Sequence, residues 1–256
     1  MRILVANDDG PGSGLEALVK AVIGSGHEAF LAVPEKPRSG VGKAVSFRLT
    51  YRRGELYGVP AVLVDTTPAD AVAVVLDGVG RGFDLVVSGV NMGPNLGAWD
   101  VYSSGTLGAV FEAALRGFRG MAVSLVARSW RDYRDMPAAK YRAAAELAMR
   151  LLDMLPPPGE WEAPVLNLNV PAWGWRGLRV TSVEKGEVER LLRCRDGECS
   201  FEEWSLSSYR CLTPGSDVCA VLEGYASLSP IGLSPTDGYG WLAEALGGET
   251  LYIGEG

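Results

Sequence analysis

The sequence predicts an α/β fold: a Rossmann-like, mostly parallel sheet with helices on both faces, plus a C-terminal β-hairpin extension used in oligomerisation. Three observations carry this. Short apolar runs alternate with helix-like stretches through residue 170, which gives βαβ units and parallel pairing. Beyond that point two long runs flank Asp196-Gly197, a strong two-residue hairpin signal. A chain of 256 residues fits one large domain with an appended arm. The expected division is a core over residues 1–178, a protruding arm over 179–214, and a segment over 215–256 packed on the core or on a partner subunit.

The elements follow in order. Residues 2–7 read as a buried parallel strand, and 15–24 as a helix ending at glycine. Residues 28–33 form the next strand, 34–44 a polar loop, and 45–51 with 55–59 a small hairpin around Arg53-Gly54. Residues 61–65 are a strand. Thr67-Pro68 then opens a helix, with a capping hydroxyl, proline at the first helical position and Asp70 in the first turn. A strand over 84–88 leads into a Gly/Asn loop over 89–103, a helix over 106–116 and a strand over 121–127. A long amphipathic helix over 138–155 stops at Pro156-Pro157-Pro158, and 165–170 is a further strand. The arm's strands span 179–194 and 199–207. A two-stranded ribbon is marginal alone, so it packs either on another subunit or back on its own domain. Cys194 and Cys199 lie nearly opposite one another there, either as a cross-strand disulfide or as reduced thiols.

Composition narrows the function. Hydrophobic content of 47% and charged content of 21% are ordinary for a soluble globular protein. A net charge of −7 argues against non-specific binding to a nucleic-acid polymer. A phosphate ligand stays open, because a bound cation inverts the local field. No secretory apolar region follows Met1-Arg2 and no apolar run reaches transmembrane length, so the expected location is the cytoplasm, away from any membrane.

In doubly wound sheets, sites form at the carboxyl ends of strands, which points to the loops after Asn7, Val33 and Ser88. Asp8 and Asp9 close the first strand. Adjacent carboxylates repel, so a cation or strong donors must compensate if both stay ionised, and hard divalent cations favour such oxygens. By position alone a solvated Asp-Gly turn is an equal reading. Asn91 and Asn95 bring carbonyl and amide groups to the loop after Ser88, one able to ligate a metal and one to donate to phosphate; two turn-forming asparagines are the plainer alternative. Ser103-Ser104-Gly105-Thr106 opens a helix, whose N-terminus either binds an anion or is simply capped. In the loop after the second strand, Ser39 offers a hydroxyl ligand and Arg38 a phosphate contact.

Absences matter too. His27 is the only histidine, so no Ser-His-Asp triad, His-based phosphatase or multi-His zinc site is available. No cysteine has an arginine six residues on, and no G-x-x-x-x-G-K-[ST] occurs, which removes thiolate phosphatase loops and P-loops. Metal-activated water is the remaining nucleophile.

Together these segments resemble the SurE family of metal-dependent 5′-nucleotidases. The matching pieces are Ile3-Leu4-Val5-Ala6-Asn7-Asp8-Asp9-Gly10, Pro34 with Arg38-Ser39-Gly40, and Ser88-Gly89-Val90-Asn91 with Gly93-Pro94-Asn95-Leu96-Gly97. Asp100, Ser104-Gly105-Thr106, Ser216-Asp217 with Ala220, and Gly224-Tyr225-Ala226-Ser227-Leu228-Ser229-Pro230 continue it. The resemblance implies one divalent cation per subunit, Mg²⁺ or Mn²⁺, held by Asp8, Asp9, Ser39 and Asn91. It implies phosphate contacts at Asn95, Ser104, Gly105 and Thr106. Asp8, Asp9 and Asn95 are the candidate catalytic set, with Asp8 the candidate general base and the division of roles between the two aspartates open. It implies hydrolysis of nucleoside 5′-monophosphates, with 3′-nucleotides and short polyphosphate as further substrates, in a homodimer or homotetramer joined through hairpin and tail. Ser103 departs from the family's tyrosine before Ser-Gly-Thr.

Two rivals of other classes share the sheet. A phospho-accepting receiver also opens on paired acids, but it needs a lysine closing a later strand, and none of the five lysines ends the 121–127 run. A dinucleotide binder needs G-x-G-x-x-G, which Gly10-Pro11-Gly12-Ser13-Gly14 meets only in part.

Overall fold

The computed structural model describes residues 1–186, 192–201 and 204–233. Its centre is a nine-stranded sheet built from β1 (Arg2–Ala6), β2 (Glu28–Pro34), β3 (Tyr51–Leu56), β4 (Val59–Val64), β5 (Leu85–Met92), β6 (Gly120–Val126), β7 (Val165–Pro171), β8 (Leu178–Val180) and β11 (Ala226–Ile231). The order is β3-β4-β2-β1-β5-β6-β7-β11-β8. Strands β4 through β7 run parallel; β3 on β4 and β11 on β7 are antiparallel. The Rossmann-like, mostly parallel expectation is borne out.

Helices cover both faces, as period-two side-chain alternation requires of a sheet buried on each side. Ile3 and Val5 point into one core with Leu31, Val33, Leu85 and Val87. That core is closed by α1 (Ser13–Gly24) and α5 (Ala138–Met154). Leu4 and Ala6 point the other way, toward α2 (Pro68–Val74) and α4 (Gly105–Leu115). The Thr67 capping box forms as expected, with Asp70 N–H donating to Thr67 Oγ1 and Thr67 N–H to Asp70 Oδ2.

Successive strands step from β1 to β2 to β4 in one direction and from β5 to β6 to β7 in the other. The chain therefore reverses between β1 and β5, and a crevice opens beyond their carboxyl ends. That topology brings the residues after Ala6 and those at the end of β5 together.

Three expectations need correction. The first hairpin turns at Tyr57-Gly58, not Arg53-Gly54. Tyr57 and Gly58 both have positive φ (52° and 78°), as a two-residue hairpin turn requires, and Gly54 pairs with Ala61 inside the edge strand. Second, residues 89–103 are not one loop. Strand β5 continues to Met92 across a register shift between Ser88 and Asn91, and residues Gly97–Ser103 form helix α3. The N-terminal N–H groups of α3 find distant partners: Gly97 donates to Asp217 Oδ2 at 2.9 Å and Ala98 to Glu184 O at 2.8 Å. No local signal announces such a cap.

Third, the arm's strands are short: β9 (Leu192–Arg195) and β10 (Glu198–Phe201), joined through Asp196-Gly197. Residues Leu178–Val180 belong to the main sheet instead, paired with β11. The arm's remaining expected positions at 187–191 and 202–203, and the terminal segment from 234 to 256, lie outside the described residues. Cys194 faces Cys199 in register and the two form a disulfide; Cys211 and Cys219 form another.

Glu184 ties the stretch after β8 to helix α6 (Asp217–Leu222) and its cap. It accepts from the N–H groups of Lys185, Gly186, Leu212 and Thr213 and from the hydroxyls of Thr213 and Ser216. Burial raises its pKa, but these donors outweigh burial and hold the carboxyl at about 2, below its ordinary 4.5. A depressed folded value stabilises above the unfolded one and is lost as pH falls. Glu184→Gln is expected to cost roughly 2–4 kcal/mol at neutral pH. In thermal melts, the difference from wild type should close between pH 4.5 and about 2.

Candidate active site

The crevice at the β1/β5 switch holds a pocket of about 200 Å³. Its lining includes the polar residues Asp8, Ser39, Asn91, Asn95, Asp100 and Ser104 and the aromatic residues Trp130, Tyr133 and Trp204. Asp8 sits just beyond β1 and is buried. Its carboxylate accepts the Thr106 hydroxyl at 2.5 Å, and the Thr106 backbone N–H points at it as well. Asp9 Oδ2 accepts the Met92 N–H at 2.8 Å, and Asp9 Oδ1 lies 3.5 Å from Ser39 Oγ.

Burial, then the neighbouring Asp9 charge, push Asp8 up to about 7 against the Thr106 donors. Burial raises Asp9 too, opposed by Met92 and Ser39. Among the described residues, no lysine or arginine ion-pairs with either aspartate. A buried and an adjacent half-buried carboxylate without a cationic partner are costly when both are ionised. A divalent cation fits this arrangement, since hard cations take carboxylate, amide and hydroxyl oxygens. Asn91 Nδ2 is committed to Gly93 O at 2.9 Å, which turns its carbonyl oxygen into the free ligand atom. No three His, Cys, Asp or Glu side chains converge among the described residues, so a cation here relies on neutral oxygens from Asn91 and Ser39.

Two glycines make the geometry possible. Gly89 occupies the β5 irregularity with φ of +137°, and a Cβ there would lie 2.2 Å from Val123 O. The bulge it permits re-aims Asn91 at the strand end. Gly105 opens α4 against Asp8: an added Cβ would lie 2.8 Å from Asp8 Cβ and 3.0 Å from Arg38 O.

The remaining expected phosphate ligands divide. Asn95 and Ser104 line the pocket. Ser104 caps α4, its Oγ accepting the Leu107 N–H. Thr106 is fully buried and spends its donors on Asp8, so it positions the carboxylate instead of facing a ligand, with Gly105 packed behind. Arg38 is not brought in. Its guanidinium donates to the carbonyls of Asp65 and Thr66, while its backbone N–H holds Asp8 O at 2.7 Å.

Sequence reasoning missed the support beneath Asn95. Asn167 and Asn169 on β7 donate to Asn95 O, Asn169 Oδ1 accepts the Asn95 N–H, and Asn95 Nδ2 donates to Ser124 Oγ. The signal was present: two asparagines two apart share one face of a buried strand, where an unpaired amide is costly.

The residues matched by the family model for survival protein SurE are 3–190, most of the chain and both halves of this crevice. The chain belongs to the SurE family. A SurE relative from Thermus thermophilus, named 5′-nucleotidase SurE 1, is 38% identical over 97% of each chain. The 5′-nucleotidase SurE of Desulforamulus reducens is 33% identical over 93% of this chain and 94% of its own. The crystal structure of the SurE protein from Aquifex aeolicus superposes with a TM-score of 0.75 at 27% identity, covering 93% of this chain and 95% of that one. The structural likeness therefore extends past the matched residues 3–190.

Proposed function

We propose that this SurE chain is a divalent-metal-dependent phosphomonoesterase that releases phosphate from nucleoside 5′-monophosphates, with 3′-nucleotides and short polyphosphate as further substrates. The observation that carries the reading is the adjacent pair Asp8–Asp9, the first buried and the second half-buried, at a topological switch point with no cationic partner among the described residues and with Asn91 and Asn95 lining the same pocket as Asp8. The names of its relatives supply the substrate class. Asp8, Asp9, Ser39 and Asn91 would hold one Mg²⁺ or Mn²⁺. When bound, that cation supplies charge for the phosphoryl group and activates water.

The chain's own groups do the rest. Asn95 Nδ2 has one N–H on Ser124, and its second is free to donate to a phosphoryl oxygen. Ser104, at the positive end of α4, faces the same oxygens. Water attacks phosphorus and the P–O ester bond breaks; Asp8 accepts the water's proton and passes it to the leaving alkoxide, releasing the nucleoside and phosphate. The reading also takes residues 1–178 together with β8 and β11 as the catalytic core, and the rest of the 179–214 arm and of the 215–256 segment as the surface joining two or four subunits.

A phosphate-release panel tests this: nucleoside 5′- and 3′-monophosphates, di- and triphosphates and tripolyphosphate, each with Mg²⁺, Mn²⁺ or chelator. Cation-dependent turnover highest on 5′-monophosphates is expected. Turnover unaffected by chelator, or confined to di- and triphosphates, would refute it.

A further inference from the structure

The pocket is lined by three aromatic residues, Trp130, Tyr133 and Trp204, that the phosphate chemistry does not use. Trp130 and Tyr133 lie in the turn after β6, with ring centroids 5.8 Å apart. Trp204 comes from the far side of the arm, 6.4 Å from Tyr133. Backbone bonds stitch the two segments together: Trp130 N–H to Trp204 O at 3.1 Å, Leu206 N–H to Arg128 O at 2.8 Å, with a bridge between Ser129 and Ser205.

Two of the rings are held firmly. Tyr133 is 6% exposed, its hydroxyl donating to Leu125 O and accepting the Ala127 N–H. Trp204 Nε1 donates to Tyr209 OH, which donates in turn to Asp100. Trp130 differs: it is 43% exposed at the pocket rim, a large apolar ring left open to water beside a polar site. Among the described residues no lysine or arginine lines the pocket, so its aromatic residues offer π faces and no countercharge for a second phosphate.

We propose that Trp130, backed by Tyr133 and Trp204, is a stacking platform for the nucleobase of the substrate. It selects base-bearing monophosphates over sugar phosphates and phosphate chains. This rests on the nucleotidase reading above for the placement of phosphate at Asp8 and Asn95. A base presents a π face whatever its edge, so the platform confers preference for nucleotides as a class, with larger purines favoured by overlap.

The test compares AMP with ribose 5-phosphate, which keeps the phosphate and sugar and lacks the base. Base stacking is worth about 1–3 kcal/mol, so Trp130→Ala should raise KM for AMP about 10-fold more than KM for ribose 5-phosphate. Trp130→Phe should restore most of that difference, which a purely structural role would not predict. Equal changes for both substrates, or none, would overturn the platform. If the wild-type protein hydrolyses neither compound, the nucleotidase reading fails by itself, and tryptophan fluorescence decides the platform. Quenching by AMP but not by ribose 5-phosphate, lost in Trp130→Ala, upholds it; identical responses overturn it.

Discussion

Asp8→Asn and Asp9→Asn are each expected to lower kcat for nucleoside monophosphates by on the order of 10³-fold, or ~4 kcal/mol of transition-state stabilisation. Each removes a charged oxygen from the proposed ligand set, in which only these two of the four residues are carboxylates. Asp8→Asn also removes the group assigned to take the proton. Stability should move the other way. Asp8 is raised from 3.8 to about 7, chiefly by burial and then by Asp9. An acid with a raised folded value stabilises the fold while protonated, below its unfolded pKa, and that contribution is lost as pH rises through the folded one. Cation-free wild type should therefore lose melting temperature between pH 4 and about 7, and Asp8→Asn should lack that slope. A variant that is less active but no less stable is the mark of a strained functional site. Full activity in either variant would sink the scheme.

The second large effect is expected at Gly105. A methyl group there meets Asp8 Cβ at 2.8 Å, Asp8 Oδ2 at 2.9 Å and Arg38 O at 3.0 Å. Arg38 O is backbone and Asp8 is pinned by Thr106, so neither yields cheaply. Displacement of the carboxylate by a fraction of an ångström to one ångström should cost about 100-fold in kcat. Gly12→Ala is the control, since nothing lies within 4 Å of its added Cβ. Circular dichroism melts separate the two causes of lost activity. Gly105→Ala is expected to fold and to melt within a few degrees of wild type while turning over slowly. A Gly105→Ala protein as active as Gly12→Ala would mean that Asp8 has room to move.

The parallel core was legible because each buried strand is a short apolar run, and burial on both faces writes that into composition. The residues proposed to hold the metal drew attention for a topological reason: Asp8, Asp9 and Asn91 lie at the carboxyl ends of β1 and β5, and Ser39 in the loop after β2. What escaped depends on contacts far apart in sequence. Helix α3 is capped from Asp217, 120 positions away, so its glycine-rich start looked like loop. The hairpin turn moved because Tyr57-Gly58 carries the positive φ values while Gly54 merely fills an edge strand. Thr106 and Arg38 have residue types suited to phosphate, yet the fold uses one to position Asp8 and the other to hold the 65–66 turn. Residue type shows what a side chain can bind; neighbours decide whether that capacity is already used.

The most direct test of the central claim is phosphate release from AMP by protein stripped with chelator and then titrated with Mn²⁺ or Mg²⁺. The account predicts no turnover before addition, recovery that saturates at one cation per subunit, and no recovery in Asp9→Asn at the same concentrations. Turnover by the stripped protein, or full recovery in Asp9→Asn, would contradict it.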